Sequence, residues 1–137
     1  KKKKIYKNLP AIKQLKDKID ERITTRGYLT GIDGRHLQIR SRHSALNQLL
    51  QSTGAISVKK ATCILYDDLF KAGLRWGCHY GFVAHVHDEI QALVKPQHVS
   101  IYKDLAIKCF EKAGEYFQLL CPLTGEAKEG KNWMETH

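Results

Sequence analysis

An α+β fold is what this sequence predicts, and three observations carry that prediction. Long stretches repeat their apolar residues at helical spacing, short segments alternate about turn residues, and nothing shows the strand-helix-strand rhythm of a parallel sheet. The expected architecture is an antiparallel sheet of β-hairpins packed against long amphipathic helices. At 137 residues the chain has the length of one domain, enough to enclose a core.

Pro10 fits the first turn of a helix that should run to about Thr25, where Arg26-Gly27 ends it. Leu9, Ile12, Leu15, Ile19 and Ile23 form its apolar stripe. Tyr28 to Ile32 and Arg35 to Arg40 read as two strands joined at Asp33-Gly34, a strong hairpin signal. From Arg42 to Leu74 the period is helical again, with Leu46, Leu49, Leu50, Ile56, Ala61, Ile64, Leu65 and Leu69 on the buried side and Gly54 as a place to bend or split. A second hairpin follows, Tyr80 to Val86 and Ile90 to Val94, closed by Pro96. Gln97 to Tyr116 is amphipathic, with Val99, Tyr102, Leu105, Cys109, Phe110 and Ala113 on one stripe. Leu119 to Leu123 reads as a last strand before a glycine-containing tail.

Net charge is +9, so an anionic partner is expected. Residues 1–26 carry eight Lys and two Arg against three acids, a surplus of seven. Residues 1–9 read as a basic, disordered start, and the lysines after Pro10 as a helix face suited to phosphates. No apolar run is long enough to span a membrane and no charged-then-apolar leader is present, so the chain reads as soluble and intracellular. Cys63, Cys78, Cys109 and Cys121 contain no Cys-x2-Cys pair and read as reduced, packed thiols. Trp76 and Trp133 read as packing anchors.

The chemistry concentrates in Val86-His87-Asp88-Glu89-Ile90. Here Asp88-Glu89 falls where the hairpin turns, although two-residue turns prefer Asn-Gly or Asp-Gly because they need positive φ. Two adjacent carboxylates repel unless a cation sits between them, so a divalent metal held by oxygen is the expected justification. Asp88 and Glu89 are therefore the catalytic and metal-binding candidates. Asn47 and Gln51, four apart, share one side of a helix. Their amides suit the minor groove, whose acceptors look alike for every correct base pair. Arg35 and Arg40, with Lys59 and Lys60, are candidate phosphate contacts. The string His85-x-His87-Asp88 raises a zinc hydrolase as a rival, in the wrong register for His-x-His-x-Asp.

Val86-His87-Asp88-Glu89 resembles the last signature motif of the family A DNA polymerases, the DNA polymerase I group. Asp33-Gly34-Arg35 with Leu37-Gln38-Ile39-Arg40 is similar to that family's short hairpin, and Ala45 to Ala55 to its Asn-x3-Gln helix. Gly130-Lys131-Asn132-Trp133 and the terminal His137 resemble the phage-type replicative members. The likeness covers nearly the whole chain in order. It implies a palm fold over residues 1–137, two Mg2+ ions shared between Asp88 and an aspartate of an earlier motif, and Glu89 tuning the site or binding through water. His87 is placed at the primer strand, and Asn47 and Gln51 near the growing end of the primer-template DNA. His85, without such a counterpart, reads as a packing residue. Where many relatives carry a basic residue four before the Asn, this chain has His43, flanked by Arg40 and Arg42, and the resemblance implies that the DNA phosphate contact falls to these residues.

Two family signatures are missing. No stretch matches Asp-x2-Ser-x2-Glu, and Tyr80-Gly81 has Ala72 where the fingers helix needs Lys. The resemblance thus implies a carboxy-terminal palm portion, inactive alone, whose partners are the rest of the polymerase (fingers, thumb and remaining palm) and deoxynucleoside triphosphates, in the cytoplasm of a bacterial or phage-infected cell. A non-catalytic basic nucleic-acid-binding domain, in which Asp88 and Glu89 only shape a turn, is the alternative.

Overall fold

The computed structural model describes residues 9–136. The basic start up to residue 8 and the terminal His137 lie outside them. The fold is α+β as expected, in two compact units that divide after Gly54.

The first unit opens with helix α1 (Pro10–Arg26). Pro10 supplies the fixed φ of the first turn, and Gly27, at φ 78°, ends the helix by donating its N–H to Ile23 O at 2.9 Å. Only the second half of its apolar stripe packs: Ile19 is buried and Ile23 half-buried, whereas Leu9, Ile12 and Leu15 are exposed. Strands β1 (Tyr28–Thr30) and β2 (His36–Gln38) follow, shorter than the sequence predicts. Their connection is a five-residue loop and not a two-residue turn at Asp33-Gly34, because Gly31 N–H donates to Arg35 O at 2.8 Å and Thr30 pairs with His36. Leu29 and Leu37 pair across the strands and meet Ile19, Ala45 and Leu49 in a small core.

A 3-10 turn (Arg42–Ser44) leads into helix α2 (Ala45–Lys71), which continues unbroken through Gly54. Leu50, expected on the buried side, is 60% exposed, on the same side as Asn47 and Gln51. A helix this rich in leucine offers more than one apolar face, and only packing chooses between them.

In the second unit, Ala61, Leu65 and Leu69 of α2 are fully buried against helix α3 (Val99–Tyr116), through Tyr102, Cys109 and Ala113. Lys112 bridges Asp68 at 2.5 Å and Lys60 lies over the Tyr116 ring at 3.7 Å, so the two helices run antiparallel. Strands β3 (Tyr80–Val86) and β4 (Glu89–Val94) form a hairpin whose Tyr80, Phe82, Ala92 and Val94 cover this core. The two hairpins make two separate two-stranded sheets, not one. A 3-10 turn (Pro96–His98) joins β4 to α3.

Leu119 to Leu123 is not a strand. The segment pairs with neither two-stranded sheet and instead runs back along α3: Leu123 packs on Gly114, Gly125 on Phe110, and Glu129 bridges Lys103 at 3.3 Å. A Cβ at Gly125 would stand 2.9 Å from the Phe110 ring, so the close approach requires glycine. The chain then forms a short helix α4 (Trp133–Thr136). Asn132 Oδ1 accepts from Glu135 N–H at 3.2 Å, while Glu135 accepts from Lys131 N–H at 2.8 Å, a reciprocal cap of the helix start. Trp133 is half exposed, and Trp76 is 61% exposed beside Gly81, so neither is a buried anchor.

Candidate active site and nucleic-acid interface

The β3–β4 ladder ends on the pair Val86 and Glu89, so the turn is His87-Asp88 and not Asp88-Glu89. Glu89 is the first residue of β4. The conformational demand therefore falls on His87, which takes φ 54°. Histidine is among the few residues other than glycine that enter this region with some frequency, at a cost of about 1 kcal/mol or more. His87 and His85 do not share a strand face, since His87 has left the strand.

Asp88 is exposed at the tip and has no hydrogen bond or ion pair among the described residues. Glu89 is half-buried and accepts from Gln91 Nε2 at 3.1 Å, two residues along the same strand. The neighbouring carboxylates thus differ: one is open to solvent, the other is oriented by an amide. Among the described residues no three His, Cys, Asp or Glu side chains converge on one cation site. One aspartate in a tight turn still fits magnesium, whose octahedral shell is commonly met by one or two carboxylates with substrate phosphates and water.

His85 faces helix α2. Its Nε2 is 2.7 Å from Thr62 Oγ1, so it is a tethered polar residue and not simply a packing one.

In the first unit, Asn47 and Gln51 project from one exposed side of α2, and neither amide has a partner among the described residues. Arg40, Arg42 and His43 precede that helix and are exposed. Arg35 is already engaged: its Nε lies 2.6 Å from Asp33 Oδ2, which closes the hairpin loop and lowers its availability to a phosphate. In the second unit, Lys59 is exposed, whereas Lys60 is occupied by the Tyr116 ring. Sequence reasoning missed Gln91 and Thr62. Gln91 was legible from the two-residue period of the strand. Thr62 lies 23 residues from His85 and carries no local signal.

Comparison with known proteins shows the family and a likeness of fold. The family described as DNA polymerase family A matches residues 2–135. A DNA-directed DNA polymerase of Escherichia phage Phieco32 is 37% identical over 135 residues, covering 93% of this chain and 21% of its own. That of Enterobacteria phage T3 is 32% identical over 153 residues, covering 99% and 22%. The chain therefore spans about a fifth of the length of these curated relatives. Among solved structures, the polymerase domain of Pol1 from M. smegmatis, in complex with DNA primer-template and dNTP, superposes with a TM-score of 0.69 at 19% identity. It covers 86% of this chain and 21% of that one, a likeness of fold.

Proposed function

The chain belongs to DNA polymerase family A, and from that premise we propose that it is the carboxy-terminal palm portion of a phage-type DNA-directed DNA polymerase. One observation carries its part in catalysis: Asp88 stands exposed and unpartnered in a turn, beside a Glu89 already held by Gln91. Such a carboxylate is placed to be a ligand. Asp88 holds Mg2+ together with an aspartate from outside these residues, and Glu89 orients water or tunes the charge beside it. When bound, two Mg2+ ions activate the primer hydroxyl and neutralise the leaving pyrophosphate.

The chain's other residues bind and orient. His87, lifted into the turn by its positive φ, meets the primer end. Asn47 and Gln51 hydrogen-bond the minor groove near the growing end, where uniform acceptors let them test pairing without reading sequence. Arg40, Arg42 and His43 hold phosphates, and Arg35 joins them only by leaving Asp33. The partners are primer-template DNA, deoxynucleoside triphosphates, and the fingers, thumb and remaining palm of a whole enzyme. Alone, with half a metal site, the chain does not polymerise. Its place of action is the cytoplasm of a bacterial or phage-infected cell. No helix among the described residues is long and apolar enough to cross a membrane.

Manganese, a paramagnetic stand-in for magnesium, tests the reading in the 137-residue chain. The expected result is NMR line broadening centred on His87, Asp88 and Glu89 that disappears in Asp88→Asn. Broadening that ignores the substitution, or is spread evenly over the surface, overturns it.

A further inference from the structure

The β3–β4 hairpin departs from regular pairing once, and that departure aims a side chain at helix α2. Phe82 pairs with Ala92 and Ala84 with Gln91, so Val83 is an extra residue on β3. It is 62% exposed. A bulge of this kind shifts the alternation of the strand by one residue. Tyr80 and Phe82 face the helices before it. Beyond it the helix-facing position is His85, opposite Ile90. In a regular strand His85 would point to the other side.

So redirected, His85 Nε2 lies 2.7 Å from Thr62 Oγ1, and Thr62 Oγ1 donates to Val58 O at 2.9 Å. A hydroxyl has one proton and two lone pairs. With its proton directed at Val58, Thr62 accepts from His85 Nε2–H, and both contacts are satisfied together. The apolar residues that join the hairpin to the core, Tyr80, Phe82, Ala92 and Val94, lie toward its open end. The other end carries a strained His87 and an unpartnered Asp88. Pairing within a two-stranded hairpin does not fix its tip against a helix.

We propose that His85 is a positioning residue: by donating to Thr62 it ties the His87-Asp88 turn to helix α2 and fixes where the Asp88 carboxylate stands. Its consequence for metal binding rests on the function proposed above, but the tether itself is measured without metal.

Amide hydrogen exchange on the 137-residue chain reads it. Thr62→Val removes the hydroxyl at nearly constant shape, and His85→Phe keeps a ring without a donor. Both should speed amide exchange at the ladder pair that closes the turn, Val86 and Glu89, by roughly three- to tenfold, the share of one net hydrogen bond, and leave Leu65 and Cys109 unchanged. Thr62→Ser and His85→Gln, which keep an acceptor and a donor, should stay close to the parent chain. Manganese broadening at Asp88 should weaken in the first pair and persist in the second, a response that a loss of stability alone does not give. Unchanged exchange at the turn in Thr62→Val overturns the proposal. If His85→Phe unfolds the chain, Thr62→Val carries the test. A turn that loosens as expected in a chain that shows no manganese broadening at all keeps the tether and removes the metal-binding reading instead.

Discussion

Gly73 and Gln118 occupy the same position in two copies of one helix ending. After α2, Gly73 N–H donates to Phe70 O at 3.1 Å and Leu74 N–H to Leu69 O at 2.9 Å; after α3, Gln118 N–H donates to Glu115 O at 2.9 Å and Leu119 N–H to Gly114 O at 3.0 Å. Both residues must take positive φ, 85° for Gly73 and 52° for Gln118. Only glycine does so without a Cβ clash. Gly73→Ala should therefore destabilise the chain by about 1 kcal/mol, as a shift in the urea midpoint at constant slope, whereas Gln118→Gly, which relieves strain but frees the unfolded chain, should hold or raise the midpoint. A midpoint for Gln118→Gly that falls by about 1 kcal/mol, the full entropic cost of a glycine, would show that the backbone there is not strained.

Thiol reactivity should divide the four cysteines three to one. Cys63, Cys78 and Cys121 are exposed, whereas Cys109 is fully buried and its thiol donates to Ala106 O at 3.0 Å. Burial pushes its pKa up to about 12, with Asp68 adding to the effect. Iodoacetamide on the native chain should label three sites within the time that denatured chain labels four. Labelling of Cys109 at the rate of the others would mean that the α2–α3 core opens readily.

The same thiol makes stability fall in alkali. Unfolded, Cys109 titrates near 9.0; folded, it titrates near 12. Below pH 9 both states keep the proton and stability is level. From about 9 to 12 the unfolded chain releases a proton that the folded chain retains, so stability drops as pH rises. Tyr102 adds to this window, because burial first and its neighbours Tyr80 and Cys109 next raise its pKa as well. Thermal midpoints should be flat to pH 9 and then decline. Tyr102→Phe should make the decline shallower.

Tyr102→Phe should also raise stability at neutral pH. The phenol oxygen is buried with no hydrogen-bond partner among the described residues. Removing an unsatisfied hydroxyl recovers a desolvation cost of about 1 kcal/mol or more. A destabilised variant would reveal an internal water bound to that oxygen.

Which of these features the sequence announces depends on how local their cause is. Pro10 and Gly27 bound α1 because each acts on its own backbone, and the reading from Pro10 to about Thr25 needs only one further residue. Alternation located both strands of the second hairpin to within a residue. It did not locate the bulge at Val83, which comes from packing Tyr80 and Phe82 on the core while His85 reaches Thr62. The turn moved from Asp88-Glu89 to His87-Asp88 for a related reason: cross-strand register is set by the whole ladder, and an apolar pattern that opens the second strand at Ile90 placed the turn one residue late. Leu9, Ile12 and Leu15 keep a perfect helical period yet remain exposed, since a period records a face and not what covers it. The amides of Asn47 and Gln51 share a side of α2 as their spacing requires, but the pairing of Arg35 with Asp33 was hidden behind a turn read as two residues long.

His87 offers the sharpest separation of stability from function. Its φ of 54° costs a residue with a Cβ about 1 kcal/mol, and glycine does not meet that cost. His87→Gly should thus hold or raise the urea midpoint, gaining from relieved strain what it loses to the greater freedom of the unfolded chain. His87→Ala keeps the strain and should lie below it. Strain kept where a glycine serves the fold better points to a use for the imidazole. In a complete polymerase carrying this segment, His87→Gly should weaken primer extension while the fold stays intact, and Asp88→Ala should abolish extension and leave DNA affinity within a few fold. Full extension by His87→Gly would reduce the histidine to a turn residue, and full extension by Asp88→Ala would remove the turn from catalysis altogether.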